Sequence, residues 1–139
     1  MHKVYLKPGK EESLKRFHPW IFSGAIARFD GEPEEGEVVE VYTSKKEFIA
    51  EGHFQIGSIA VRVLSFRQEP IDHDFWKRKL QIAYDMRCGI GIAVNPTNDT
   101  YRLVHGEGDN LPGLVIDIYA RTAVMLSLIH ISEPTRLQL

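Results

Sequence analysis

The stretch that decides the fold is residues 36–64, GEVVEVYTSKKEFIAEGHFQIGSIAVRVL. Val39 and Val41, then Phe48 and Ala50, then Ile59, Val61 and Val63 recur at every second position, while Glu40, Tyr42, Glu47, Glu51 and Arg62 take the alternate places. Successive side chains of a strand project to opposite faces, so this pattern predicts three half-buried strands. Thr43-Ser44-Lys45-Lys46 and Gln55-Ile56-Gly57-Ser58 are the reversals between them. Strands packed so closely along the chain predict the centre of a small β-barrel.

Upstream, residues 2–6 form a short strand with Val4 and Leu6 on one face, stopped by Pro8-Gly9, and residues 11–16 suit a single helical turn. In Phe17-His18-Pro19-Trp20-Ile21-Phe22, Pro19 holds His18 extended, and Trp20 and Phe22 share a face opposite Ile21. The two aromatics are expected to line the core. Arg16 and His18, preceded by Lys10 and Lys15, make a surface where phosphates can sit.

Composition sets the outer limits. At 139 residues and 43% apolar content the chain can bury one core and part of a second. The net charge of −2 gives no bulk argument for nucleic acid. Its distribution does: residues 1–29 hold six bases against Glu11 and Glu12, and residues 30–40 hold six acids and no base. Cys88 is the single cysteine, which excludes an internal disulfide or a multi-cysteine zinc site and suits a reducing, cytoplasmic setting. The N-terminus has no apolar signal-peptide core and no run reaches membrane-spanning length, so no membrane partner is expected.

Beyond Leu64 the pattern changes. Residues 65–70 are polar, and a boundary is placed at residue 69. Asp72 or Asp74 can cap a helix over residues 74–87, whose apolar face is Ile71, Phe75, Trp76, Leu80, Ala83 and Tyr84. Lys77, Arg78 and Lys79 are read as its solvated face. Cys88 ends that helix as a small packing residue and Gly89 suits the position after its cap. Residues 101–105 and 114–119 read as strands around the turn Gly106–Gly113, and a third strand starts near Thr122.

In order, Leu6-Lys7-Pro8-Gly9-Lys10, residues 16–26 (RFHPWIFSGAI), residues 36–41 (GEVVEV), residues 58–64 (SIAVRVL) and residues 101–114 (YRLVHGEGDNLPGL) resemble the front half of the bacterial SAM-dependent methyltransferases that modify cytosine C5 in large-subunit (23S) ribosomal RNA. The resemblance covers residues 3 to about 125. It implies a mixed α/β chain: a PUA-like β-barrel that binds RNA over residues 1–68, then an incomplete α+β middle domain over 69–125. The Rossmann-like catalytic domain of the family is expected to be missing from this chain. Ribosomal RNA and that missing C-terminal domain are then the partners, and a homodimer is a candidate assembly.

S-adenosylmethionine is the cofactor of the full-length family, and none is expected to bind this chain. Such a cofactor needs a glycine turn between a strand and a helix. Gly89-Ile90-Gly91 follows a helix, and Gly106-Glu107-Gly108 lies in an acidic hairpin. C5 methylation also needs a thiolate to attack C6 and a base to remove the C5 proton. Cys88 is given neither role, so no catalytic residue is assigned and the chain alone is expected to be inactive. From Leu126 the sequence LSLIHISEPTR departs from the family pattern and resembles the translation of a transposase-type sequencing adapter, so residues 126–139 are set aside from the fold reading, although apolar Leu126, Leu128, Ile129 and Ile131 can extend a strand by chance. A sheet edge and apolar surface are then left exposed where the catalytic domain docks.

Three functions follow from these residues. In the first, an rRNA methyltransferase fragment contacts RNA without methylating it. In the second, a free-standing RNA-binding module uses Lys7, Lys10, Arg16, His18 and Arg62 on phosphates and Trp20 or Tyr42 to stack on a base. In the third, His105, Glu107 and Asp109 hold a metal for hydrolysis. Glu107 and Asp109 more simply accept backbone N–H bonds in a glycine-rich turn, and no metal is assigned.

Overall fold

The computed structural model describes residues 1–127. The chain divides into two compact units, Met1–Glu69 and Pro70–Leu139. The first contains β1 (Lys3–Leu6), a one-turn helix α1 (Glu12–Lys15), β2 (Trp20–Phe22), β3 (Ile26–Asp30), β4 (Val38–Tyr42), β5 (Phe48–Phe54) and β6 (Ile59–Ser65). The sheet runs β2-β6-β5-β4-β1-β3. β1 pairs parallel to β4 and antiparallel to β3.

The two edge strands, β2 and β3, are consecutive in the chain and joined by the 3-10 turn Ser23–Ala25. Six strands laid flat at about 4.8 Å spacing would hold those edges about 24 Å apart. A three-residue link spans at most about 14 Å. The sheet therefore curls. Among the described residues β2 and β3 do not pair with each other, so the seam stays open and the expected barrel is a half-barrel. Val4, Leu6, Leu14, Ile21, Val39, Val41, Ala50, Val61 and Val63 fill its concave side.

Three readings of the sequence change here. Phe48, read on the core face with Ala50, stands beside Tyr42 on the outer face, because the ladder shifts register between Val41 and Tyr42. Ile21 enters the core, whereas Phe22 is half exposed and Trp20 only partly covered, because β2 turns its aromatic face away from the half-barrel. Glu51, expected to point to solvent, is 2% exposed. A register shift at Glu51/Gly52 interrupts the alternation, and the chain after β6 folds back over the outer face. Ser65 Oγ donates to Glu69 Oε2 at 2.7 Å, Glu69 N–H donates to Glu51 Oε1 at 3.1 Å, and Gln68 Nε2 donates to Glu40 Oε2 at 2.7 Å.

Burial pushes the Glu51 carboxyl above its ordinary value against the opposing Glu69 N–H, and the charges of Glu40 and Glu69 push the same way. An acid whose folded pKa is raised destabilises the fold as pH climbs from its unfolded value through its folded one. Glu51→Gln keeps the acceptor for Glu69 N–H and removes the charge. It is expected to raise the melting temperature at pH 7, with the gain vanishing below about pH 4, near the unfolded Glu pKa. Melting curves at both pH values check this.

The second unit is α2 (His73–Gly89), β7 (Thr100–His105), β8 (Leu114–Tyr119) and β9 (Thr122–Ser127), in sheet order β7-β8-β9. Asp72 Oδ1 caps α2 by accepting from Phe75 N–H at 3.0 Å. The helix runs two residues past the expected Arg87, and its left-handed terminator is Gly91 (φ 77) rather than Gly89. Ile92 N–H donates to Arg87 O and Gly91 N–H to Cys88 O, the paired bonds of a Schellman end. Trp76, Leu80, Ala83 and Tyr84 pack on Leu103, Val104, Leu111, Leu114, Ile116 and Ile118.

β9 is exposed along its whole length. It runs through Leu126 and Ser127, the start of the adapter-like stretch, whose apolar Leu126 does extend a strand; the rest of that stretch, residues 128–139, lies outside the described residues. No helix among the described residues is long and apolar enough to cross a membrane.

Candidate functional site

The predicted RNA-contacting residues gather on and around β2. α1 stops at Arg16, and Phe17 reverses the chain in a left-handed conformation (φ 62), so that His18 and Pro19 lead into the strand. Arg16 and His18 are exposed. The His18 ring meets the Trp20 ring edge-on at 5.9 Å, and Trp20 N–H donates to His18 Nδ1 at 3.2 Å. A neutral ring that accepts at Nδ1 carries its proton on Nε2. Trp20 meets Phe22 edge-on at 6.4 Å.

Arg62 of β6 lies directly across from Trp20 and, on its other side, from His53 of β5. Residues opposite one another across a ladder share a face, so Trp20, Arg62 and His53 form one outward row. Arg62 Nε is buried and has no hydrogen-bond partner among the described residues. His53 is 4% exposed, and burial pushes its imidazole down to about 4, so it is neutral at pH 7 and leaves Arg62 the only charge of the row.

Lys10 and Trp20 line the same cleft of about 330 Å³, with Ser13, Leu14, Phe22 and Gly24. Lys7 is exposed, and its N–H donates to Ala25 O, which borders that cleft. Lys7, Lys10, Arg16, His18, Trp20 and Arg62 thus occupy one region. It combines cations, an imidazole and a partly open indole, the side chains that grip phosphates and stack on bases. The sequence reading missed Phe17, which is 72% exposed and touches Phe66 edge-on at 5.2 Å. Its signal was the triplet Arg16-Phe17-His18, an aromatic between two bases.

The second constellation separates. Asp109 sits at the end of the 3-10 turn Gly106–Asp109, where both its oxygens pair with the Arg87 guanidinium, the second bond at 2.7 Å, and it also accepts His105 N–H at 2.6 Å. Burial pushes its carboxyl up, but these bonds and the Arg87 charge outweigh that and hold it below the usual carboxylate range. Arg87 Nε also donates to Arg102 O at 3.1 Å. Asp109 therefore anchors the turn to α2, while Glu107 is exposed. Among the described residues no three His, Cys, Asp or Glu side chains gather to hold a metal.

The described residues do not fit S-adenosylmethionine either. The chain enters α2 through Glu69-Pro70-Ile71-Asp72, without a glycine. Gly91 lies at the carbonyl end of that helix, and the turn after β7 carries the bonded carboxylate of Asp109. Cys88 is half-buried beside Tyr84, and its hydrogen bond raises the Tyr84 phenol above its ordinary value.

Residues 4–66 match the family of the PUA-like domain. Ribosomal RNA large subunit methyltransferase I of Erwinia tasmaniensis is 40% identical over 125 residues, 88% of this chain and 31% of that protein. The protein of the same name from Aliivibrio fischeri is 44% identical over 118 residues, 84% of this chain and 29% of that protein. The chain thus spans under a third of the length of these curated relatives. A solved Streptococcus mutans structure, described as a candidate SAM-dependent methyltransferase, shares the fold with a TM-score of 0.72 at 20% identity, covering 90% of this chain and 32% of that one. Residues 4–66 are thus similar to the PUA-like domain family, and most of the chain's length is similar to the N-terminal region of ribosomal RNA large subunit methyltransferase I.

Proposed function

We propose that this chain is the RNA-gripping part of an S-adenosylmethionine-dependent methyltransferase acting on cytosine C5 of large-subunit ribosomal RNA. The observation that carries it is the convergence on β2 of Lys10, Arg16, His18, Trp20 and Arg62 within a PUA-like domain. In this reading Lys7, Lys10 and Arg16 neutralise phosphates, His18 donates from Nε2, and Trp20 and Phe17 offer stacking faces to unpaired bases. The names of the relatives supply the substrate class. The methyl donor and the thiolate chemistry belong to residues other than those described, so the chain is expected to bind RNA and transfer nothing.

The test is binding of a large-subunit rRNA hairpin across a salt series. A surface with three or four phosphate contacts gives a log–log slope of about −2 to −4. Lys10→Ala with Arg16→Ala is expected to flatten that slope by about 1.5. An unchanged slope removes these residues from the interface. Labelled methyl appearing in RNA incubated with the chain and S-adenosylmethionine would show that the chain itself does the chemistry.

A further inference from the structure

A second row of aromatic side chains crosses the outer face of the same sheet, away from β2. Tyr5 of β1 lies directly across from Arg28 of β3 on one side and from Tyr42 of β4 on the other, and Tyr42 is across from Phe48 of β5. The Tyr5 and Tyr42 rings stack at 5.7 Å with 29° between their planes, and Phe48 meets Tyr42 edge-on at 5.9 Å. Two cations lie over the rings: the Arg28 guanidinium carbon is 3.9 Å from the Tyr5 centroid, and Lys3 Nζ is 5.3 Å from that of Tyr42. Arg28 is exposed, and the three rings are partly so.

We propose that this row is a second RNA-contacting face, one that takes a short single-stranded segment by stacking its bases on Arg28, Tyr5 and Tyr42. The inference rests on the reading of the chain as an RNA binder and adds a strand-selective surface to it. Core packing does not explain the row, because the core lies on the opposite face with Val4, Leu6, Val39 and Val41. Aromatic residues exposed on the open face of a sheet and guanidinium planes are the surfaces on which unpaired bases stack. Here the guanidinium is already held over a ring, so a base completes a stack at little ordering cost.

The charge around the row suits a phosphate backbone. Lys3 and Arg28 lie within it, and Lys45 and Lys46 stand exposed in the turn at the end of β4. Of the acids nearby, Glu40 already accepts from Tyr42 Oη and Gln68 Nε2. Asp30 and Glu40 lie directly across from Lys3 on its two sides and offset its charge, so Arg28, Lys45 and Lys46 are the cations left for the backbone, and Glu47 stands exposed beyond the turn.

An octameric oligouridine, which has no duplex for the β2 surface to read by shape, is the probe. Tyr42→Leu combined with Tyr5→Leu keeps apolar bulk and is expected to weaken oligouridine binding about tenfold. The salt slope should stay the same, because no phosphate contact is removed. Arg28→Ala should weaken binding and also flatten the slope by about 0.7. A 5-iodouridine oligomer irradiated with the unmodified chain reports without any variant, and its crosslink is expected at Tyr5 or Tyr42. Unchanged oligouridine binding in the tyrosine pair, or crosslinks confined to the β2 surface, overturns the second face while leaving the first intact. Failure of the unmodified chain to bind either hairpin or oligouridine overturns both.

Discussion

Gly52→Ala is expected to cost the first unit about 3 kcal/mol, near the upper end of what overpacking costs. A Cβ built on Gly52 would stand 2.1 Å from the Arg62 carbonyl oxygen and 2.8 Å from Val63 Cα, both backbone atoms that no rotamer change can move. The residue marks a close approach of β5 to β6 where the ladder shifts register between Glu51 and Gly52. Relief means separating β5 from β6, the strands that also carry His53 and Arg62. Urea unfolding followed by Trp20 fluorescence, with Trp76 replaced by Phe so that only the first unit reports, measures the loss. A shift under about 0.5 kcal/mol, the usual range of a harmless substitution, would refute the clash.

The second large effect is expected at the Arg87–Asp109 pair. The side chains are 11% and 3% exposed, so removing one partner leaves an uncompensated charge, at a cost of about 3–5 kcal/mol. Asp109→Ala should destabilise the second unit by that amount and free the turn after β7 from α2. The joint replacement Arg87→Met with Asp109→Leu should cost far less, because neither charge is then stranded. The pH dependence has a definite sign. Asp109 is held below its ordinary value, so its contribution is complete above the unfolded pKa near about 4 and disappears as pH falls through the lower folded one. Unfolding read from Trp76, with Trp20 replaced by Phe, checks both statements.

What could be read in advance followed from how local each cause is. β4, Ala50 of β5, and Val61 and Val63 of β6 announced themselves because alternate burial is a property of neighbours in sequence, whereas Phe48 was misplaced by the register shift between Val41 and Tyr42. Asp72 was legible as a cap for the same reason. β3 offered nothing to read, since only Ile26 of its five residues is buried. Glu51 was misassigned because its cover arrives from residues 65–69, brought over it by bonds that no spacing in the sequence announces. Gly89 was taken for the helix terminator because Gly91, two residues later, fits the left-handed position equally well in sequence.

The candidate site divides the same way. Arg16 and His18 could be picked out as a basic pair beside a proline. That Arg62 joins them through Trp20 needed the pairing of β2 with β6. Asp109 could be recognised as an acid in a glycine-rich turn, but its partner Arg87 lies 22 residues earlier and on a helix. Sequence spacing had grouped it with His105 and Glu107 instead.

The pairing of β2 with β6 also shapes how the chain comes together during synthesis. β4, β5 and β6 follow one another as hairpins and can zip as they appear, but β2 must wait for the last of them. At roughly 5–20 residues per second, that delay is a matter of seconds on the ribosome. Throughout it Trp20 and Phe22 sit on an unzipped strand whose backbone groups have no ladder. Vectorial synthesis thus exposes the proposed RNA-contacting strand early and completes it last, which makes the early nascent chain the form most open to capture by a chaperone or by a neighbouring strand.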